Sequence, residues 1–165
     1  MAAVAEEPGR RPAGPPAPAA GDRAPDFKVE TDRGQVALAD LLAQGRLVLA
    51  FYSEDATPTC STQVESLKDG YALLQELGAG VLAVSVDSLD SHAAFCDRLG
   101  GLPFPLASDP DLALARAYGV VDAAGRRSRR AVFVIDRDGT LLLSLPHYNP
   151  ANLSQLEAVF RALGA

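Results

Sequence analysis

Apolar residues in this chain of 165 residues follow two patterns that alternate from about residue 25 to the end. Continuous apolar runs lie at residues 47–52 and 131–135, and a third run, at 81–86, is interrupted by Ser85. Such runs are typical of strands that are covered on both faces. Between residues 58 and 77, apolar residues recur at steps of three and four, which predicts an amphipathic helix. The alternation predicts an α/β domain whose central mixed sheet carries helices on both faces.

Turn and cap signals add shorter elements to this prediction. Glycine-containing turns predict two hairpins, an N-terminal one over residues 27–38 and a second one that turns just before residues 140–145. Ser88 or Asp87 is a good cap for a helix that ends at about Leu99. Other helices are predicted through Leu41 and Leu42 to about Gly45, after Asp109-Pro110, and from about 150 to 163.

Composition divides the chain once. Residues 1–24 are dominated by Ala, Pro, Gly and Arg, and they include five prolines between positions 8 and 18. A segment with so little to bury cannot offset the entropy of ordering, so it is predicted to be a disordered extension. Residues 25–165 are expected to form one domain, because their length and apolar content suffice for a hydrophobic core.

Charge and targeting signals limit the possible partners. A formal net charge of −6 argues against a nucleic-acid binder or an anionic-membrane binder. No stretch approaches the roughly 20 apolar residues of a membrane helix, and the first residues lack the pattern of a secretory signal. A cytoplasmic, reducing setting is therefore expected, where a lone cysteine pair is more often catalytic or transient than structural.

The chain has two cysteines, Cys60 and Cys96, which are 36 positions apart. Two cysteines are too few for a disulfide scaffold, and too few for a zinc site built from cysteine alone. Two interpretations remain. Both cysteines are small buried hydrophobic residues, or they form a redox pair.

Cys60 is predicted to lie in the first turn of a helix. Thr57 is a good N-cap and Pro58 is a good first helical residue, which puts Cys60 at about the third helical position. The helix follows the carboxyl end of strand 47–52, where open α/β sheets place their reactive groups. Unpaired amides and the helix dipole favour a thiolate there, and the thiolate is the nucleophilic form of cysteine. The alternative is a small residue packed under a helix start.

The histidines give a weaker signal. His92 and Cys96 are four positions apart and could share a metal-binding face with Cys60, but no further ligands cluster in the sequence. The pattern favours an exposed helical histidine at His92 and an ordinary loop histidine at His147. Asp87 is predicted to be a cap or a surface charge.

Residues 51–63 resemble the active-site segment of the peroxiredoxins, most closely that of the bacterioferritin comigratory, or Q-type, subfamily. The family motif is a proline, three residues, a threonine, two residues and a cysteine. Thr57 and Cys60 match this motif. Ser53 stands at the proline position, which is a departure at the residue that shields the sulfur from solvent in the family.

The resemblance extends from about residue 21 to the end of the chain and includes a loop at 102–110. The segment 130–136 is similar to the strand that presents a catalytic arginine in the family, and Arg130 matches that arginine. Arg129 is expected to point the other way, because side chains alternate along a strand. The resemblance implies a thioredoxin-like fold, with a central mixed sheet flanked by helices and an N-terminal β-hairpin.

Cys96 decides the subtype within that family. Many Q-type members carry a resolving cysteine five residues after the first one, where this chain has Glu65. The resemblance therefore points to the branch whose resolving cysteine lies on the next helix of the same chain, at Cys96. If Cys96 is instead a buried apolar residue beside Phe95 and Leu99, the protein is a one-cysteine peroxidase with an external thiol as resolver.

The resemblance implies a thiol peroxidase that reduces hydrogen peroxide and organic hydroperoxides. The Cys60 thiolate attacks the peroxide, Thr57 and Arg130 position it, and Cys96 condenses with the resulting sulfenic acid. A disulfide needs Cα atoms within about 7 Å, so parts of both cysteine helices are expected to unwind. Thioredoxin or a similar dithiol would restore the thiols without a metal or organic cofactor. The enzyme is expected to act as a monomer or weak homodimer.

Two other functions remain open. A dithiol-exchange oxidoreductase of thioredoxin fold is disfavoured, because Ser61, Thr62 and Gln63 follow Cys60 without a C-x-x-C motif. A non-catalytic redox sensor or holdase on the same fold has Ser53 as its single hint.

Overall fold

The centre of the protein is a mixed sheet, seen in a computed structural model that describes residues 16–55 and 57–165. Its seven strands within this described part are β1 (Lys28–Thr31), β2 (Gly34–Ala37), β3 (Arg46–Phe51), β4 (Ala79–Ser85), β5 (Leu106–Ser108), β6 (Ala131–Ile135) and β7 (Leu141–Leu145). The order across the sheet is β2-β1-β5-β4-β3-β6-β7. Strands β3, β4 and β5 are parallel, and the remaining neighbours pair antiparallel.

Six helices pack against this sheet in the described residues: α1 (Leu38–Gln44), α2 (Pro58–Asp69), α3 (Tyr71–Glu76), α4 (Leu89–Arg98), α5 (Ala113–Ala117) and α6 (Leu153–Ala162). The longest of them, α2, has 12 residues. Over the same described ranges, no helix has the length and apolar character that crossing a membrane requires.

Two hydrophobic cores lie on opposite faces of the sheet, because side chains alternate along each strand. Along β3, Val48 and Ala50 join the core under α2, α3, α4 and α6, which includes Cys60 and against which Cys96 packs. Leu47, Leu49 and Phe51 join the core under α1 and α5. The predicted α/β architecture, with a mixed sheet, helices on both faces and an N-terminal hairpin, is confirmed.

The helix predicted between residues 58 and 77 is in fact two helices, α2 and α3, which meet at Gly70. A Cβ atom at Gly70 would lie 2.9 Å from the Phe160 ring, so glycine lets α6 approach closely at this point. The break falls between two apolar positions of one continuous helical period, and the sequence pattern therefore does not reveal it.

Two smaller elements also differ from the prediction. The predicted loop at 102–110 contains β5, which pairs with both β4 and β1 and thereby attaches the N-terminal hairpin to the sheet. Three residues are too few to display a strand period. Helix α5 begins at Ala113 rather than directly after Pro110, and the Asp109 carboxylate accepts the amide protons of Leu114 and Ala115 at 3.0 and 2.9 Å.

The predicted disordered extension, residues 1–24, lies outside the described residues as far as position 15. The rest of it bonds to the edge strand β7. Leu141 exchanges two backbone hydrogen bonds with Gly21 and Asp22, at 2.8 and 2.9 Å. The Ser144 hydroxyl donates to the Pro18 carbonyl at 2.6 Å. Ala17 also packs against the second core, so contacts with the domain begin ahead of the boundary at residue 24, where these backbone groups cover an otherwise open sheet edge.

Candidate active site

Cys60 lies in the first turn of α2, just beyond the carboxyl end of β3. Thr57 is the N-cap in extended conformation, and the Cys60 amide donates a hydrogen bond to the Thr57 hydroxyl at 3.4 Å. Pro58 is the first helical residue, so Cys60 is the third, as predicted from the sequence. The Cys60 side chain is fully buried, with 0% exposure.

Two side chains of α2 hold this helix in place. The Gln63 amide donates to the carbonyl of Phe51 at 3.0 Å, which ties the second turn of α2 to the last residue of β3. Further along, the Lys68 ammonium donates to the carbonyl of Leu99 at 2.6 Å, at the end of α4. The helix start that carries Cys60 is therefore fixed relative to both the sheet and the second cysteine-bearing helix.

Arg130 stands directly before β6, whose first residue, Ala131, pairs with Phe51 at the end of β3. The neighbouring Arg129 donates from its guanidinium to the carbonyls of Val121 and Gly119, at 3.2 and 2.8 Å. The Nε atoms of both arginines are buried without a hydrogen-bond partner among the described residues, but the terminal nitrogens of Arg130, unlike those of Arg129, bind no carbonyl there. Arg130 therefore retains donor capacity for a ligand, whereas Arg129 is engaged in holding a loop.

An open cleft of about 590 Å³ joins these two parts of the site. It is lined by Ser53, Thr59, Asp122, Ser128, Arg129, Arg130, His147, Tyr148 and Asn149. Thr59 is the residue before Cys60, and Ser53 is the residue at the motif's proline position. The Tyr148 amide donates to the Arg130 carbonyl at 2.8 Å, which anchors the third side of the cleft. A small polar substrate in this cleft would lie between the start of α2 and the Arg130 guanidinium.

Cys96 lies on α4, on the same face of the sheet as Cys60. Its side chain is partly buried and packs against the core that contains Cys60. Both cysteines are free thiols. The structure thus brings the two predicted redox residues to one core without bonding them.

His92 is buried with 0% exposure, so the expectation of an exposed helical histidine is wrong. Its Nδ1 atom lies 2.9 Å from the Asp55 carboxylate, and its Nε2 atom lies 2.9 Å from the Ala107 carbonyl. Both ring nitrogens are therefore occupied, which excludes a metal site shared with Cys96. The spacing of His92 and Phe95, on one face of α4, was the available sequence signal for this burial.

Asp55, which the sequence analysis did not single out, is the centre of a buried hydrogen-bond network. The Tyr52 hydroxyl donates to one carboxylate oxygen at 2.6 Å, and the Ser91 hydroxyl donates to the other at 2.7 Å. The Asp55 amide donates to the carboxylate of Asp87 at 2.7 Å. Asp87 was expected to be a cap or a surface charge, but it is half-buried and braces this loop, while Ser88 caps α4.

The protonation states of this network follow from its partners. Burial acts to lower the pKa of His92, but the hydrogen bond and the negative charge of Asp55 outweigh it, so the pKa is raised. Burial acts to raise the pKa of Asp55, but hydrogen bonds from His92, Tyr52 and Ser91 outweigh it, so that pKa is lowered. Burial, followed by the charge of Asp55, raises the pKa of Tyr52. Both shifts favour the form of the pair in which an imidazolium is bound to a carboxylate.

Fold and site together define a class: a thioredoxin-like α/β protein with a cysteine at the start of the helix that follows a central strand. Residues 20–143 match the AhpC/TSA family. The chain belongs to this family, and its relatives carry the name peroxiredoxin. It is accordingly a thiol-dependent peroxidase.

Individual relatives agree with this assignment. The chain is 32% identical over 151 residues to a peroxiredoxin of Thermoplasma volcanium, covering 87% of this chain and 73% of that protein. It is 33% identical over 127 residues to a putative peroxiredoxin bcp of Coxiella burnetii, covering 73% of this chain and 83% of that protein. The solved structure of peroxidoxin BcpB from Mycobacterium tuberculosis is similar with a TM-score of 0.79 and 26% identity, covering 88% and 96% of the two chains. The bcp names agree with the resemblance to the Q-type subfamily.

Proposed function

We propose that the protein reduces hydrogen peroxide and organic hydroperoxides through a sulfenic acid on Cys60 and an intramolecular disulfide with Cys96. One observation carries the proposal. Cys60 lies at a capped helix start beside a cleft in which the buried Nε of Arg130 has no partner within the described chain. A nucleophile and an uncommitted cation next to one small polar cleft are what peroxide reduction requires.

In the first step the Cys60 thiolate attacks one peroxide oxygen and the O–O bond breaks. Cys60 becomes a sulfenic acid, and the leaving oxygen takes up a proton and departs as water or an alcohol. The helix start favours negative charge on the sulfur. Arg130 donates to the peroxide oxygens and stabilises the charge that develops on the leaving oxygen. Thr57 holds the helix start and directs its hydroxyl toward the reacting groups.

In the second step the Cys96 thiol displaces the hydroxyl of the sulfenic acid, which forms the disulfide and releases water. Cys60 is enclosed at the start of α2 and Cys96 lies on another helix, so the two sulfurs approach only after local unfolding. The first turn of α2 and part of α4 unwind in this step. Placement of both cysteines on one face of the sheet supports the pairing.

A dithiol such as thioredoxin then reduces the disulfide and restores both thiols. Neither this reduction nor the attack of Cys60 on the peroxide needs a metal or organic cofactor. A reducing, cytoplasmic setting suits the cycle, because such compartments keep lone cysteines as thiols between turnovers. The proposed enzyme works as a monomer or weak homodimer, since both reacting cysteines belong to one chain.

The test is intact mass spectrometry of the reduced protein after one equivalent of hydrogen peroxide, with Cys60→Ser and Cys96→Ser as a matched pair. We expect the wild type to lose two hydrogens, which reports the disulfide. Cys96→Ser should gain one oxygen, which reports the sulfenic acid. Cys60→Ser should keep its mass and consume peroxide at least about 10³-fold more slowly, since the nucleophile is absent.

Two outcomes would redirect the proposal. If Cys96→Ser turns over with thioredoxin as fast as the wild type, Cys96 is a core residue and an external thiol resolves Cys60. If the wild type gains no oxygen and forms no disulfide, the chain is a redox sensor or holdase rather than a peroxidase.

A further inference from the structure

The loop that precedes α2 is tied to the first turns of α4 by groups that the catalytic chemistry does not use. This loop, residues 52–55 with Thr57, leads from β3 to Cys60, and α4 carries Cys96. Asp55 of the loop binds His92 at 2.9 Å and Ser91 at 2.7 Å. The partners are 36 and 37 positions apart in sequence, so the tie depends on the folded arrangement of both segments.

The contact between His92 and Asp55 depends on one proton of the His92 ring. The Ala107 carbonyl is an acceptor only, so Nε2 must carry a hydrogen to bond it. The Asp55 carboxylate also only accepts, so Nδ1 must carry a second hydrogen. When His92 loses one proton, it loses the positive charge that attracts the carboxylate and one of its two hydrogen bonds, because a lone pair of Nδ1 or of Nε2 then faces an acceptor.

We propose that the His92–Asp55 pair is a positioning latch, which holds the loop before α2 closed on α4 while His92 is protonated and releases it when His92 is neutral. The inference rests on the proposed function, because in that cycle the first turn of α2 and part of α4 must open before Cys60 meets Cys96. Asp55 lies five positions before Cys60, and His92 lies one helical turn before Cys96. Opening of either segment breaks the latch.

The groups that face His92 determine how readily it holds this proton. The titratable groups that face it are Asp55 and Tyr52, at the end of β3 and in its loop, and Asp87, which follows β4. The strand β5 contributes only the Ala107 carbonyl. On α4 itself, the acidic and basic side chains at 90, 97 and 98 are exposed. Both carboxylates favour the imidazolium, which agrees with the raised pKa of His92.

Hydrogen exchange of the reduced full-length protein tests the latch without using peroxide. The measured quantity is the exchange rate of peptides that cover Asp55 and Cys60, as the ratio of variant to wild type at each pH. In Asp55→Asn we expect this ratio to be about tenfold or more at about pH 6, since a charge-assisted bond is lost. The ratio should fall toward one as the pH rises through the pKa of His92, because the wild-type latch then opens as well.

Three further variants separate a latch from a general loss of stability. Asp90→Asn removes an exposed charge from the first turn of α4 and should match the wild type at every pH. Ser91→Ala removes one hydroxyl donor to Asp55 and should give a ratio of about threefold, with the same pH trend. The double variant Asp55→Asn, His92→Asn removes both charges of the pair and should show a ratio with a flat pH profile. If Asp55→Asn alone does not fold, these last two variants decide the question.

The latch is refuted if Asp55→Asn and Ser91→Ala exchange as the wild type does at about pH 6. It is also refuted if their excess exchange is the same at about pH 6 and about pH 9, because a merely structural contact would behave in that way. These outcomes do not depend on peroxide chemistry. A protein without peroxidase activity but with pH-dependent exchange would retain the latch and lose the proposed function.

Discussion

Two helices of this protein start at the same edge of the sheet, since α2 follows β3, α4 follows β4 and these strands are parallel. Both starts have a side-chain cap, Thr57 for α2 and Ser88 for α4, and both helices carry a cysteine. By local sequence they are alike. In the folded protein the start of α2 adjoins an open cleft, whereas Ser91 and His92, just after the start of α4, bind the loop before α2.

The difference lies in whether the polar groups at each start already have partners. Near α2, the Arg130 Nε atom is buried and has no partner in the described residues. Near α4, both nitrogens of His92 and both oxygens of Asp55 are bonded. A buried donor without a partner is costly and marks a place where a ligand completes the site. A network whose polar groups all have partners, such as that of His92 and Asp55, instead stabilises the fold and positions the loop before α2.

The largest effect is expected at the satisfied site. Asp55→Asn should lower the free energy of unfolding by about 3 kcal/mol at about pH 6, because it breaks a buried ion pair. Because the pKa of His92 is raised in the folded protein, its contribution to stability is complete below its pKa in the unfolded chain. This contribution is lost as the pH rises through its pKa in the folded protein. The lowered pKa of Asp55 means that its contribution is lost only as the pH falls through its folded value.

Urea unfolding of the wild type and Asp55→Asn, at pH values on both sides of the folded His92 pKa, measures the effect. The gap between the two unfolding free energies should be widest on the acidic side of the folded His92 pKa and should narrow above it. A gap that stays constant with pH would mean that the charge of His92 plays no part.

The next effect is expected at the unsatisfied site. Arg130→Gln should slow oxidation of Cys60 by about 10²-fold, the usual cost of removing one donor that stabilises developing charge. Arg129→Gln is the matched control, because the Arg129 guanidinium holds the carbonyls of Val121 and Gly119. It should lower stability and leave the rate per folded molecule close to that of the wild type. Stopped-flow consumption of peroxide measures both, and equal rates for the two variants would contradict the assignment of Arg130.

The smallest effects are expected at the two helix caps, Thr57 and Ser88. Thr57→Ala and Ser88→Ala should each cost about 1 kcal/mol of stability, since each removes a side-chain N-cap. Only Thr57→Ala should also slow Cys60 oxidation, by about tenfold, because its hydroxyl accepts the hydrogen bond of the Cys60 amide. Thr57→Ser keeps the hydroxyl and should recover most of the rate. Urea midpoints and single-turnover oxidation rates report the two effects separately, and a slow Ser88→Ala variant would remove the distinction.

Sequence patterns predicted most of the fold because the signals are short-range. Continuous apolar runs identified the central strands, and the cap and proline before Cys60 identified the start of α2. The predictions missed β5, which is too short to show a period, and the break at Gly70, which depends on the Phe160 ring. Both misses concern contacts between elements that are distant along the chain.

The third position of Cys60 in a capped helix follows from local sequence, because a cap, a proline and a helical period act within a few residues. Tertiary contacts decide that the terminal nitrogens of Arg129, and not those of Arg130, are bound to loop carbonyls, and that His92 is buried against Asp55. Those outcomes depend on burial and on partners up to 37 positions away, and such distances leave no mark on local pattern.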